Sequence, residues 1–300
     1  MSAALDWLRQ QRRTAPTPPP AALPSVAPAP GSDDIADVIE RLRRLRERGP
    51  RRTAASASSP TIDRHLPGEE IAPGLWQTTE RRASLVAPPM IDLSALARPA
   101  RGRRPPTGTA TFDAPIARER LCFFDTETTG LAGGTGTRAF MIGLARFGRE
   151  GLSITQFTTA TMAAEAAMLR AALADLDEGA VLVSYNGRSY DRPLLSTRHT
   201  LARLPDPWRD RPHLDLLHPT RRRWRAMLPD CRLATVERHL LGIVRDHDLP
   251  GSEAPAAWRS FLRGGSAALL RRVGEHNAQD LASLAALLLH HLGDADAPRG

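Results

Sequence analysis

The sequence predicts an α/β domain, a mixed sheet with helices against its faces, behind a largely disordered Pro/Ala/Arg-rich N-terminal region. Three observations carry this prediction. From Arg118 onward, short apolar runs at strand spacing alternate with stretches at helical spacing. The order of those elements is three strands, helix, strand, helix, strand, then helices, which suits helices packed on a mixed sheet. Finally, 16 of the 26 prolines lie at or before Pro106 among Ala, Ser and Arg, a composition that buries too little apolar surface to offset its ordering entropy. The expected division is therefore a disordered or weakly helical tail over residues 1–110 and a folded domain over 111–295.

Taken in order, the tail holds two short helical patterns, ALDWLRQQRR and SDDIADVIERLRRLRER, separated by a proline-rich stretch. Ser32 or Asp33 is a cap for the second, whose basic face reads as a solvated surface with no identified protein partner. HLPGEEIAPGLWQTTERRASL is mildly structured and a candidate to pack on the main domain. LCFFDTET, AFMIGLARFG and LSITQFTTA then read as three strands of a meander joined by glycine-containing turns. AAEAAMLRAALADL is helical, AVLVSYNG a buried strand, YDRPLLSTRHTLARL a helix and PHLDLLH a last short strand. Thr235 is placed to cap VERHLLG, a proline opens APAAWRSFLRG, and SAALLRRVGEHNAQDLASLAALLLHHLG is one long helix or a broken pair.

Bulk properties narrow the function. The formal charge is +8, carried entirely by arginine because the chain has no lysine, and it suits a polyanionic partner such as nucleic acid without requiring one. Two distant cysteines, Cys122 and Cys231, fit a reducing cytoplasm. No run approaches the roughly 18–20 apolar residues of a membrane span, and the first residues lack a signal-peptide core, so a cytoplasmic protein without membrane attachment is expected.

Chemistry concentrates at acids. Asp125 and Glu127 stand two apart at the end of the first strand of the meander, hence on one face of it. Carboxylates held together in this way raise each other's pKa unless a cation lies between them, and hard divalent ions favour oxygen donors. Asp191 opens the helix after the central strand, and Asp280 lies beside the stripe Leu281, Leu284 and Leu288 of the last helix, where burial without a partner is costly. Asp215 is either a fifth acid or a turn cap. GLAGGTG resembles a phosphate loop only superficially: it lacks the Lys-Ser/Thr of a P-loop and precedes a strand.

Asp-x-Glu on a first strand, Asn-x-x-x-Tyr-Asp after a later strand and His-x-x-x-Asp in a late helix resemble the three motifs of the DEDD superfamily of 3′→5′ exonucleases. The blocks FFDTETTGLAGGTGT, LVSYNGRSYDRPLL, PHLDLLHPTRRRW, CRLATVERHLLGIVRDHDLPG and EHNAQDLASL are together similar to the YprB-like ribonuclease-H-like domain family, from about Leu121 to Leu289. The resemblance implies a ribonuclease-H-like fold and two Mg²⁺ or Mn²⁺ ions roughly 4 Å apart. Asp125, Glu127 and Asp280 would hold one ion, with Asp125 and Asp191 reaching the other. It further implies a single-stranded DNA or RNA end as substrate, with Thr128, Gly134, Asn186, Tyr190 and Arg222 on the substrate side. His276 is the candidate base, since neutral imidazole accepts a proton near neutral pH. It stands four positions before Asp280, the spacing of the tyrosine branch of the superfamily, where the histidine branch uses five. RRRWR, Arg221 to Arg225, suits phosphate contact and base stacking. A nucleic-acid-binding module of the same fold with weak or no catalysis is the alternative.

Overall fold

The computed structural model describes residues 62–97, 112–130, 135–245 and 248–293. The two helical patterns of the tail, Ser32, Asp33 and Gly134 lie outside these residues.

Seven strands form the main sheet: β1 (Glu69–Ala72), β2 (Leu75–Arg82), β5 (Leu121–Thr128), β6 (Ala139–Gly148), β7 (Gly151–Thr159), β8 (Val181–Ser184) and β9 (His213–Asp215). Their spatial order is β1-β2-β7-β6-β5-β8-β9. The pairs from β1 to β5 are antiparallel, and β5 to β8 and β8 to β9 are parallel. The predicted mixed sheet is thus present, with the meander β5-β6-β7 at its centre.

The sheet takes in residues before 111, where the folded domain was expected to start. β2 pairs with β7 along its whole length, Leu75 opposite Thr159 through Arg82 opposite Leu152. β2 carries a Thr/Trp-containing extended stretch that covers what would otherwise be an exposed β7 edge. The segment read as mildly structured therefore belongs to the sheet. A small second sheet joins β3 (Met90–Ile91) to β4 (Ile116–Ala117), followed after β3 by the single-turn helix α1 (Ser94–Ala97).

Alternation along β5 divides the core. Leu121 and Phe123 face the cluster containing Leu281, Leu284 and Leu288 of α7 (Ala268–Gly293), which is one continuous helix. Cys122 and Phe124 face the opposite cluster, built with Met168 and Leu169 of α2 (Glu165–Ala174) and Leu195 of α3 (Asp191–Leu201). All four β5 residues are inaccessible to solvent. Burial of each aromatic side chain contributes roughly 1.5–3 kcal/mol, so the strand carrying the first two acids is anchored on both faces. Phe140 stacks on Trp258 of α6 (Ala254–Leu262) at 5.1 Å, closing a third apolar cluster.

One local expectation fails. The helix α5 (Leu233–Val236) begins before Thr235, which lies inside it, and no side chain caps its first turn. It continues into a π-helical stretch, Glu237–Leu241, that ends at Gly242 with φ 67°. Both cysteines are free, Cys122 within the core. Among the described residues no helix is long and apolar enough to cross a membrane.

Candidate active site

The strand ends of β5 and β8, the start of α3 and the middle of α7 meet at one place. The side chains of Asp125 and Glu127 lie on the α7 face of β5, and Asn277 of α7 donates through Nδ2 to Asp125 Oδ2 at 2.8 Å. Thr126, between them, points to the other face, where its hydroxyl donates to Asp191 Oδ1. The strand end is thereby gripped from both sides, and Asp191 reaches it around the margin of the sheet.

Close approach of α7 depends on Gly143, which is opposite Asp125 in register. A Cβ built there would fall 2.2 Å from Asn277 Oδ1, so any larger residue would push the helix away. Gln156 fixes the direction of the Asn277 amide. Its Nε2 donates to Asn277 Oδ1 at 2.8 Å and to Gly274 O at 2.8 Å, and its own Oε1 accepts from Thr78 at 3.2 Å. With the amide oxygen so occupied, the amide nitrogen faces Asp125. A polar relay thus runs from β2 through β7 and α7 to the acid on β5, which gives the early strands a part in shaping the site.

Each acid's charge is felt within this one neighbourhood. Burial pushes the Asp125 carboxyl well above the usual range, and the charges of Asp280, Asp191 and Glu127 push it further. Glu127 is raised to about 8 by burial and by Asp280, Asp191 and Asp248. Asp191 is raised to about 6, burial again leading, against the lowering bond from Thr126. Clustered buried carboxylates in this state are unfavourable in themselves and suit a cation between them.

The side chains presently take other partners. Among the described residues, no three His, Cys, Asp or Glu side chains gather as a ready metal-holding group. Asp125 is bonded to Asn277, Asp191 to Thr126 and Asp280 to Arg245. Mutually repelling carboxylates turn toward whatever donors are near, so this arrangement follows from the same repulsion. The donor set is all oxygen, and it fits a hard divalent ion in chemical type. Asn277, Thr126 and Arg245 each take one oxygen, Asp125 Oδ2, Asp191 Oδ1 and Asp280 Oδ1, and these bonds leave the second oxygen of each acid for an ion.

His276 lies one turn before Asp280, its Nε2 at 3.7 Å from Asp280 Oδ2. Its Nδ1 is 2.9 Å from both carboxylate oxygens of Asp248. A carboxylate only accepts, so Nδ1 carries a proton toward Asp248, and Nε2 is the ring nitrogen turned toward Asp280. Burial raises Asp248, but its bonds to His276 and Arg245 outweigh this and hold it below the usual carboxylate range.

Sequence reasoning missed Arg245, Asp248 and Glu237. The Arg245 guanidinium bridges Glu237 at 2.5 Å, Asp248 at 3.1 Å and Asp280. Burial pulls its pKa down, but the bonds to Glu237 and Asp280 carry it above the usual arginine range. Glu237 opens the π-helical stretch, is buried, and also accepts the hydroxyl of Ser283 on α7. Single π turns of this kind often re-aim a side chain at a site. The only signal in the sequence was a run of alternating charge, VRDHD, within one of the family-like blocks.

The remaining expected residues divide. Thr128, Asn186 and Tyr190 line a cavity of about 750 Å³ together with Thr126, Asp191 and Arg232. Asn186 adopts φ 65°, ending β8 in a left-handed turn that favours Asn. Asp215 is a turn cap: its carboxylate accepts the backbone N–H groups of Asn186 at 2.7 Å, Arg188 at 3.1 Å and Leu217 at 3.1 Å. It thereby shapes the turn that delivers Asp191. Arg222 is engaged elsewhere, donating to Leu96 O at 3.0 Å. Trp224, expected to stack on bases, is buried against His291 at 4.5 Å between ring centroids.

The chain is similar to several known proteins. The chain is 38% identical over 191 residues to the uncharacterized protein YprB of Bacillus subtilis (strain 168), a match covering 61% of this chain and 45% of that protein. The chain thus spans less than half the length of this curated relative. A family B DNA polymerase from the archaeon Pyrobaculum calidifontis is similar with a TM-score of 0.46 and 17% identity, over 59% of this chain and 25% of that one. E. coli exonuclease I in complex with a dT13 oligonucleotide gives a TM-score of 0.35 and 18% identity, over 50% of this chain and 42% of that one. Likenesses of that extent carry nothing about chemistry. The family described as the RNase_H superfamily matches residues 122–291, more than half of the chain and every element that bears the four acids. The chain belongs to the ribonuclease H superfamily.

Proposed function

We propose that the protein is a divalent-cation-dependent phosphodiesterase that shortens single-stranded DNA or RNA from the 3′ end. The observation that carries this reading is the cluster of Asp125, Glu127, Asp191 and Asp280, drawn from three separate motifs, in which burial first, and then the charges of neighbouring acids, raise Asp125, Glu127 and Asp191. Asp125, Glu127 and Asp280 are the residues to hold one Mg²⁺ or Mn²⁺, and Asp125 with Asp191 a second. Bound ions supply the positive charge that activates an attacking water and stabilises the leaving 3′ oxygen.

The chain's own groups do the rest. His276, held by Asp248, accepts a proton at Nε2. Arg245 keeps Asp280 aimed while Glu237 and Ser283 hold Arg245 and its partner in place. The cavity beside Asp191 receives the terminal nucleotide, with Thr128, Asn186 and Tyr190 along its wall. A position for the reacting end beside the acids favours exonuclease over endonuclease action.

End-labelled linear strands and closed circles of the same sequence, incubated with Mg²⁺ or Mn²⁺, test the reading. Stepwise shortening of linear DNA or RNA with intact circles is expected. Cutting of circles would contradict the need for an end. Tight strand binding without turnover under either ion would favour the binding module, a reading supported by the present engagement of Asp280 by Arg245.

A further inference from the structure

The arginine run of α4 (Leu217–Trp224) and its C-terminal extension is divided by the fold into two sets with different occupations. Arg222 is fixed to Leu96 O, while Arg223 lies over the Trp224 ring at 5.0 Å and donates to His291 O at 3.3 Å. These two, with the buried indole, fasten the helix to the domain. Arg221 and Arg225 stand one turn apart on a different face, where both line a second hollow of about 440 Å³ with Cys231.

This hollow adjoins the cavity beside the acids. Tyr185 lines that cavity, and its hydroxyl donates to Cys231 O at 2.7 Å. Cys231 faces the arginine hollow and its neighbour Arg232 faces the acidic cavity, so one short segment is the common wall. Arg221 is near enough to the Tyr185 hydroxyl to act on it electrostatically. The one acid in the second hollow, Asp230, is turned to the backbone, accepting Arg232 N–H at 2.9 Å, and is 3.8 Å from Arg232 Nε.

We propose that the two hollows form a single track for nucleic acid: the strand whose 3′ end lies at the acids runs back past Tyr185, with phosphates on Arg232 and then on Arg221 and Arg225. This inference rests on the proposed function for the placement of the 3′ end. Guanidinium groups spaced along a groove with aromatic side chains beside it suit a flexible single strand, whose phosphates and bases are both accessible. An acidic protein segment would use the charges but not the aromatic wall.

The test compares the full chain with the double variant Arg221→Gln/Arg225→Gln, using fluorescence anisotropy of labelled oligothymidylates four and fourteen nucleotides long in Ca²⁺. Both arginines are exposed, so thermal melting of the variant is expected to match that of the parent. The track predicts about tenfold weaker binding of the longer strand, given the strength of charge-assisted contacts, with the shorter strand unaffected. It also predicts that the slope of log K against log salt falls by about 1.4, the value for two lost single-strand phosphate contacts. Equal effects on the two lengths, or no effect, would overturn the track. So would displacement of the long strand by poly-glutamate as readily as by unlabelled oligothymidylate. Hydrolysis of the four-nucleotide strand in Mg²⁺ separates the two ideas: if wild type and variant cleave it alike, the site reading holds whatever the binding shows. If neither cleaves any strand, that reading fails while the anisotropy still decides the track.

Discussion

Asp125→Asn is expected to slow strand shortening by on the order of 10³-fold, the scale of losing a principal electrostatic contact in a transition state. The same change is expected to stabilise the metal-free protein at pH 8. Asp125 is the acid on which the other three converge electrostatically, and Asn can keep the contact with Asn277 by offering its amide oxygen. The sign of the pH dependence follows from the direction of the shifts. Glu127 is raised from 4.5 to about 8 and Asp191 from 3.8 to about 6, so between the ordinary and raised values the folded protein holds protons that the unfolded chain has released. Stability of the metal-free protein therefore falls as pH rises from about 4 to about 8. Denaturant midpoints measured from pH 5 to pH 8 should show this decline in the wild type, a shallower one in Asp125→Asn, and its reversal by Mg²⁺ in the wild type alone. A metal-free wild type that gains stability over that window would count against the cluster.

Arg245→Met should act through a different route. Removing the guanidinium leaves Glu237, only 1% exposed, with a buried charge and no cationic partner. Breaking a buried pair from one side costs about 3–5 kcal/mol, because the remaining charge stays desolvated. The variant also frees Asp280 and removes one of the two partners of Asp248. Urea unfolding should show the stability loss, and Mn²⁺ titration of the folded variant should show weaker binding. Arg245→Lys is expected to recover part of the stability, since it restores charge, but not the simultaneous contact with three carboxylates, which needs the planar fork. Equal recovery of both by Lys would mean that Arg245 supplies only charge.

Much of the fold was legible because its strongest signals are local. β5 and β6 have the ends expected of them, Leu121–Thr128 and Ala139–Gly148, since apolar runs bounded by acids or glycine leave little freedom. β1 and β2 were harder: EEIA and LWQTTERR are polar enough to pass for loop, and only pairing, of β2 with β7 and of β1 with β2, makes them strands. The resemblance to the YprB-like family was readable from motif order, and membership of the superfamily bears it out. The four acids and His276 were visible through their spacing, whereas the residues that hold them were not. Gln156 and Asn277 are 121 positions apart and Arg245 and Asp280 are 35 apart, distances over which a sequence offers no register. The arginine run misled for a related reason. Its composition suited nucleic acid throughout, but tertiary packing assigns Arg222, Arg223 and Trp224 to holding the helix in place.

Strand shortening by EDTA-dialysed protein, before and after Mg²⁺ or Mn²⁺ is restored, tests most directly whether the acids work through bound cations. A 5′-labelled single strand should remain intact in EDTA and give a ladder of 3′-shortened products once the ion is added. Shortening at an undiminished rate in EDTA, or an intact strand of both DNA and RNA in the presence of either ion, would contradict the proposed chemistry.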